Sequence, residues 1–539
     1  MLHSATLMLM TRQLKRSGFC VVACILFLAC APVHAQNPGI IGLPLLQALT
    51  TNLNGAGVRV GQAEAALDTN GIYWEVNPSA VPSPAELFTW YSNTVSSNSF
   101  PNSIGGESGH ADAVGQIFYG PSGMATNVAH VDNFDADPYL NFNIGDDEGF
   151  STTATDAIVN QSYTVGNQGV SIQEELDSAF DDFSETYNTL FVSAADNQAN
   201  SLYVCAPGTS YNCICAGTYD GGGSIGPTID NGRCKPDLVA PASETSYSTP
   251  EIAGAAALLM QAGQRGDGGT STNSASDMRT VKALLLNGAV KPATWVNIPP
   301  SPLDYTNGAG VLNVFNSYEE LIGGKHGWNF STNIPTGSAH PPVVTSASVP
   351  VLNGWDFNTN DSSSADDAVN HYFFNVTNSA KGSGFTFTAT LVWNRHKNET
   401  DINNLALYLY NAANSNLVAA STSVVDNVQH VYVRQLPQGR YDLQVWKAGG
   451  TSIVSTNETY ALAWAIVSQI LKVEQSGTNL VLSWPVYPDG YAVASTPALA
   501  SVAWSTNGIP ASILTTNQNV VLLPDNNGNQ FFRLQTPNF

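Results

Sequence analysis

A serine hydroxyl becomes a nucleophile only when a base takes its proton, a third group orients that base, and donors receive the charge built up on the attacked carbonyl. Ser246 stands in Thr245-Ser246-Tyr247-Ser248-Thr249-Pro250, just before the small-residue run Ala253-Gly254-Ala255-Ala256-Ala257. Pro250 suits the first turn of a helix, and the small residues let that helix lie close to a sheet. A serine at such an N-terminus sits where partial positive charge favours a developing oxyanion. Read alone, the same serine would be an N-cap. Between residues 36 and 325 the only histidines are His110 and His130. His110 opens a helical stretch, whereas His130 lies in a β-like run beside an acidic loop, where a structural role fits better.

Two runs read together carry more than the serine does. Lys235-Pro236-Asp237-Leu238-Val239-Ala240-Pro241, followed by Thr245 to Ala257, resembles the nucleophile region of the subtilases, the subtilisin-like serine proteases. The resemblance implies Ser246 as nucleophile and overrides the N-cap reading. The segment 109–120 has the length and pattern of that family's histidine motif, with Ala111 and Gln116 in place of glycines, and implies His110 as the base. The run Gly57-Val58-Arg59-Val60-Gly61-Gln62-Ala63-Glu64 aligns with the strand that ends in the family's aspartate, so it puts Glu64 in that role. A carboxylate is what the chemistry needs, and glutamate supplies one from a slightly longer arm. Asp68, in Asp68-Thr69-Asn70-Gly71, is the alternative four residues later, and Glu64 is favoured over it.

The run from Thr189 to Asn197 resembles the strand whose terminal asparagine helps hold the oxyanion, which implies that role for Asn197. Segments 212–217 and 308–313 match later core segments of the family in order. The order carboxylate, histidine, serine at 64, 110 and 246 is that of subtilisin-like enzymes. Sedolisins, a related family, replace the histidine by glutamate and the asparagine by aspartate, so His110 and Asn197 argue against their chemistry. Departures from the pattern are Glu244 before Thr245-Ser246, Glu251 in place of histidine, Asp196 in place of glycine, and a short excursion between Pro241 and Thr245. The interval from Ala35 to the first core strand also leaves no room for a normal propeptide. The leading expectation is a secreted serine endopeptidase acting on protein or peptide substrates. The rival is a catalytically inactive subtilase-like scaffold that binds an extracellular partner.

The elements that must position these residues read as α/β: a subtilisin-like parallel β-sheet with flanking helices over residues 36–325, then a β-sandwich over 326–470 and a small C-terminal β module over 471–539. Strands are predicted at 58–63, 127–131, 157–162, 189–194 and 212–216, and helices at 111–119, 172–181, 250–262 and 276–287. Beyond residue 326 the alternation shifts to period two in 371–376, 385–393, 405–410, 428–435 and 441–446. The last module holds 480–485, 491–495 and 531–534. The hairpin 436–445 resembles those of pre-peptidase C-terminal or P-domain-like modules appended to secreted proteases. Trp393 and Trp446 could contact carbohydrate, although core packing is the commoner use of such residues.

The 539-residue chain carries 19 basic against 42 acidic residues, a formal charge of −23. Such a balance repels nucleic acid and anionic membrane surfaces. Arg12, Lys15 and Arg16 precede an apolar segment and Val33-His34-Ala35, the order of a signal peptide over residues 1–35. Cys30 as a lipidated residue is a weaker reading. Export leaves Cys205, Cys213, Cys215 and Cys234, an even set from which two disulfides are expected, with Cys213 and Cys215 pairing to Cys205 and Cys234. No cofactor is required. Asp132, Asp135, Asp137, Asp146, Asp147 and Glu148 offer oxygen ligands to a structural calcium, or form a solvated acidic loop. A monomer is expected.

Overall fold

The computed structural model describes residues 38–536 apart from 51, 69, 145–155, 220–221, 378–383, 469, 500–502, 516 and 526–528. The expected signal peptide lies outside the described residues. The central element is an eight-stranded sheet built from β1 (Arg59–Glu64), β2 (Phe88–Ser92), β3 (Val95–Ser97), β4 (His130–Asp135), β5 (Ile158–Gln161), β6 (Leu190–Ala194), β7 (Ile214–Thr218) and β8 (Leu238–Ala240). Its spatial order is β8-β7-β6-β5-β1-β4-β2-β3, parallel throughout except for the edge strand β3, which is antiparallel to β2. β6 and β7 are buried along their whole length, as strands covered by helices on both faces must be. β1 lies between β4 and β5, the point where the strand order reverses, and such switch points form crevices at the carboxyl ends of the strands.

Among the described residues, helices of the parallel-sheet region include α1 (Gly109–Phe118), α2 (Val170–Tyr187) and α3 (Thr245–Gln264), with α4 (Met278–Asn287) and α5 (Val314–Ile322) packed against α3. α3 is buried at every position but Tyr247 and Gln264. It starts five residues before the predicted boundary, so Pro250 sits inside the helix rather than in its first turn. Proline has no N–H to give to the carbonyl four residues back. That carbonyl belongs to Ser246, and it accepts instead from Ser162 Oγ at 2.9 Å. The Lys-Pro-Asp run is also an internal clamp. Lys235 Nζ lies 2.7 Å from Asp237 Oδ2, and the same oxygen accepts the Cys215 N–H at 2.7 Å, which ties β8 to β7.

Downstream, antiparallel sheets replace the parallel one. A five-stranded sheet (330–335, 366–376, 405–411, 416–421, 439–447) faces a four-stranded one (353–361, 385–393, 428–436, 457–467). Trp393, Trp464, Tyr372, Leu407 and Leu443 fill the space between them. Trp393 is therefore a core residue, its indole N–H donated to Asn403 O at 2.9 Å. The outer face of the four-stranded sheet lies on α4, and Trp355, Val392, Ala461 and Ala463 join the core of the parallel-sheet region. Cross-links reinforce this seam: Arg395 to Asp181 at 2.7 Å, and Asn427 Nδ2 to Tyr211 O at 2.9 Å. Residues 472–535 add a four-stranded and a two-stranded sheet over a separate small core around Trp484.

The four cysteines are free and buried, so the expected disulfides are not formed. The expectation assumed that Cys213 and Cys215 share a strand face, but β7 begins at Ile214 and Cys213 belongs to the preceding turn. Its thiol meets Ser210 O at 3.1 Å, that of Cys205 meets Tyr203 O at 3.3 Å, and Cys215 and Cys234 lie in different apolar clusters. Burial pushes the Cys213 thiol up to about 11 and that of Cys205 to about 12, so both stay protonated.

The buried helix has one point of closest approach. A Cβ on Gly254 would stand 2.2 Å from Met124 Cβ. Gly254→Ala is therefore expected to lower stability by about 1–3 kcal/mol. Met124→Ala should fail to restore it, because the clash is with an atom that alanine keeps. Thermal unfolding of the single and double variants checks this.

Candidate active site

β1 delivers Glu64 to the crevice, and the first turn of α1 delivers His110. Ser108 caps α1, its Oγ accepting the Ala111 N–H at 3.3 Å, which fixes the turn that holds the imidazole. Glu64 Oε2 lies 2.8 Å from His110 Nδ1. The carboxylate is 1% exposed and the imidazole 14%. With Nδ1 as donor to the carboxylate, Nε2 is the ring nitrogen left to act as a base. Asp68 does not reach the histidine. Its carboxylate closes a turn, accepting N–H groups of Asn70, Ile72 and Tyr73, and those bonds, Ile72 foremost, lower its pKa. His130 lies elsewhere, at the start of β4, with Nε2 3.0 Å from Thr89 Oγ1.

Ser246 occupies the second position of α3, so it is not the N-cap. Glu244 holds the cap position and makes no side-chain capping bond. The cap comes from another element: Asn197, just past the end of β6, accepts both Thr245 N–H and Thr245 Oγ1–H on its Oδ1 at 2.8 Å. Among the described residues, the Asn197 Nδ2 amino group and the Ser246 N–H have no hydrogen-bond partner. Two such donors at a helix N-terminus are the equipment needed to receive an oxyanion. The Ser246 Oγ makes its hydrogen bond to Ser162 O at 3.4 Å, and none to His110. The imidazole instead lies beside the next residue, with ring centroids of His110 and Tyr247 6.4 Å apart.

Asp196, where a glycine was expected, has φ +92°. That region favours glycine, so the aspartate is strained. Its carboxylate folds back on its own loop, Oδ1 accepting Asn197 N–H at 2.7 Å and Oδ2 the Gln198 amide at 3.0 Å. Those bonds occupy both of its oxygens.

Burial opposes a charge on His110, but the field of Glu64, its hydrogen bond and the weaker field of Glu244 outweigh it, and the pKa is raised above the usual value. In the acidic stretch, read from sequence as calcium ligands or a solvated loop, two of the described carboxylates have local partners. Asp132 is held by Arg59 of the neighbouring strand at 2.6 Å, and Asp135 accepts from Ser92 Oγ at 2.9 Å. Asp146, Asp147 and Glu148 lie outside the described residues. Among the described residues no group of three or more His, Cys, Asp or Glu is arranged to hold a metal.

Three residues of this site were assigned no role from the sequence. Gln62 donates to Glu64, Tyr119 donates to Gln62, and Ser162 takes the orphaned carbonyl of Ser246. A signal for two of them exists in the spacing. Gln62 and Glu64 are two apart on a strand and so share a face, and a glutamine inside an otherwise buried strand needs a polar partner. Gly115 and Tyr119 are one helical turn apart.

Residues 149–318 match the model of the subtilase family, Peptidase_S8. The span contains Asn197 and Ser246 but neither Glu64 nor His110. The solved structure of tripeptidyl peptidase 2 is similar at 13% identity over 76% of this chain and 45% of that one, with a TM-score of 0.31. CBM51 from Clostridium perfringens GH95, in complex with methyl-galactose, matches at 15% identity over 26% of this chain and 94% of its own, with a TM-score of 0.15. The chain thus spans less than half the length of the first of these. No curated protein matches it.

The raised pKa of His110 separates activity from stability. A histidine with a raised folded-state pKa adds stability below its unfolded pKa and loses that contribution as pH rises through the folded value. A base must be neutral, so any activity through His110 should climb over the same window in which this contribution fades. Glu64→Gln should move the His110 titration, followed by NMR of the imidazole, to lower pH. At Asp196, Asp196→Gly should raise the denaturant midpoint by the equivalent of roughly 1 kcal/mol through relief of strain. An unchanged or lower midpoint would show that the two carboxylate bonds outweigh it.

Proposed function

We propose, on the match of residues 149–318 to the subtilase family, that the protein is a serine endopeptidase in which Ser246 attacks a peptide carbonyl. His110 Nε2 takes the serine proton and returns it to the leaving amine. Glu64 keeps Nδ1 protonated and stabilises the imidazolium that forms between those steps. The Ser246 N–H and Asn197 Nδ2 receive the oxyanion. The observation that carries this reading is the buried 2.8 Å contact between Glu64 and His110 beside the first turn of α3.

The hydroxyl must leave the Ser162 carbonyl and turn to His110 for the reaction to start. Catalytic hydrogen bonds of this kind tighten in the substrate complex, so the ground-state geometry fits a site at rest. It also favours a second reading, in which the site is inactive and the chain is an extracellular binding scaffold.

The substrate is a protein or peptide. We further propose export after removal of residues 1–35, action as a monomer without a cofactor, and no binding to nucleic acid. The basic-then-apolar order of the first 35 residues and the net charge of −23 support export and the absence of a nucleic-acid partner. Among the described residues no helix is long and apolar enough to cross a membrane.

Labelling of the purified protein with a fluorophosphonate probe tests the proposal. Labelling is expected in the wild type, none in Ser246→Ala, and little in His110→Ala. Peptide hydrolysis in Glu64→Gln should fall by about 10⁴-fold in kcat, as when a triad carboxylate loses its charge. A folded wild-type protein that takes no label would favour the scaffold.

A further inference from the structure

Glutamate has one more rotatable bond than aspartate, so a glutamate that holds a histidine must itself be held. In this site Oε2 meets the imidazole, and the other oxygen, equally buried, needs a donor of its own. Gln62 supplies it, Nε2 to Glu64 Oε1 at 2.7 Å. The second hydrogen of the same amino group goes to Ala111 O at 2.9 Å, the carbonyl of the residue that follows His110. One amide therefore ties the carboxylate on β1 to the turn of α1 that carries its partner.

The amide has only one workable orientation. Its Oε1 accepts the phenol of Tyr119 at 2.5 Å, and a flipped amide would set oxygen against the Ala111 carbonyl and the Glu64 carboxylate. Gln62 and Tyr119 are 0% and 2% exposed, so neither has water as an alternative partner. Burial, with the fields of Glu64 and Asp112, raises the Tyr119 pKa well above its usual value and keeps the phenol a donor. The phenol fits because residue 115 is glycine; a Cβ there would stand 2.8 Å from Tyr119 Oη.

We propose that Gln62, locked by Tyr119, is the positioning residue that lets Glu64 hold His110 with its proton on Nδ1 and Nε2 free as base. The geometric part stands on the hydrogen bonds alone. Its consequence for catalysis rests on the peptidase reading given above.

The test keeps these two apart by measuring His110 in the full chain carrying Ser246→Ala, where no turnover is needed. In that background, above the His110 titration, imidazole ¹⁵N shifts are expected to report the Nδ1–H tautomer, with a slowly exchanging low-field Nδ1 proton. Gln62→Met, close in volume but without donors, should abolish the low-field proton and give a mixture of tautomers. Tyr119→Phe, a milder change that decides the matter if Gln62→Met does not fold, should broaden the same resonance. With the serine restored, kcat should fall roughly 10- to 100-fold in Gln62→Met with KM little changed. An unchanged tautomer and low-field proton in the folded variants would overturn the proposal whether or not the wild type is active. A lost resonance with an inactive wild type would retain Gln62 as the positioning residue and reject only the peptidase reading.

Discussion

A carboxylate taken out of water has to find donors for both of its oxygens, and the site is arranged around that requirement at Glu64. One oxygen meets His110, the other meets Gln62, and Gln62 in turn engages Tyr119 and the backbone of the helix that carries His110. An unpaired buried charge costs several kcal/mol, so these contacts stand or fall together. They also join β1 to α1, because the side chains involved alternate between the two. The imidazole is held through Nδ1 by a network in which both carboxylate oxygens of Glu64 are answered, and this makes its orientation a property of the fold rather than of one bond.

The nucleophile side of the crevice follows a different logic, that of a helix whose own backbone leaves gaps. The first N–H of α3 is satisfied by Asn197 from β6, and the carbonyl that Pro250 cannot serve is satisfied by Ser162 at the end of β5. Each missing intrahelical bond is thereby turned into a link to the sheet. The first turn of α3 is held from two segments that follow strands, while among the described residues the Ser246 N–H and the Asn197 amino group have no hydrogen-bond partner. The proline inside the helix is tolerated because its cost falls on a carbonyl that has another donor within reach.

Several acidic residues of the parallel-sheet region are paired or hydrogen-bonded locally. Asp196 is bound by its own loop, Asp237 by Lys235, Asp132 by Arg59 and Asp181 by Arg395 of the sandwich. The last of these shows that the antiparallel region is part of the support. With α4 laid on its four-stranded sheet, the sandwich covers apolar surface that the parallel-sheet region would otherwise expose.

Periodicity and composition made the alternation of strands and helices legible, because burial on two faces leaves continuous apolar runs and burial on one face leaves period two. The strands at 385–393 and 190–194 were readable for that reason, and the motif runs brought out Glu64, His110, Asn197 and Ser246 as a set. β2 and β8 were not readable: β8 is only three residues long, and β2, Phe88-Thr89-Trp90-Tyr91-Ser92, carries no continuous apolar run. Nor was the start of α3, where the capping groups come from residues 48 and 84 positions away. The cysteines were misread because Cys213 lies in the turn before the strand and not on it, and where the strand begins is set by pairing with its neighbours in the sheet. Residue types and their order along the chain were enough to mark which groups can do chemistry. Which carboxylate meets the histidine, which groups hold that carboxylate, and where the serine hydroxyl points all depend on contacts between distant segments, and these exist only once the chain has folded.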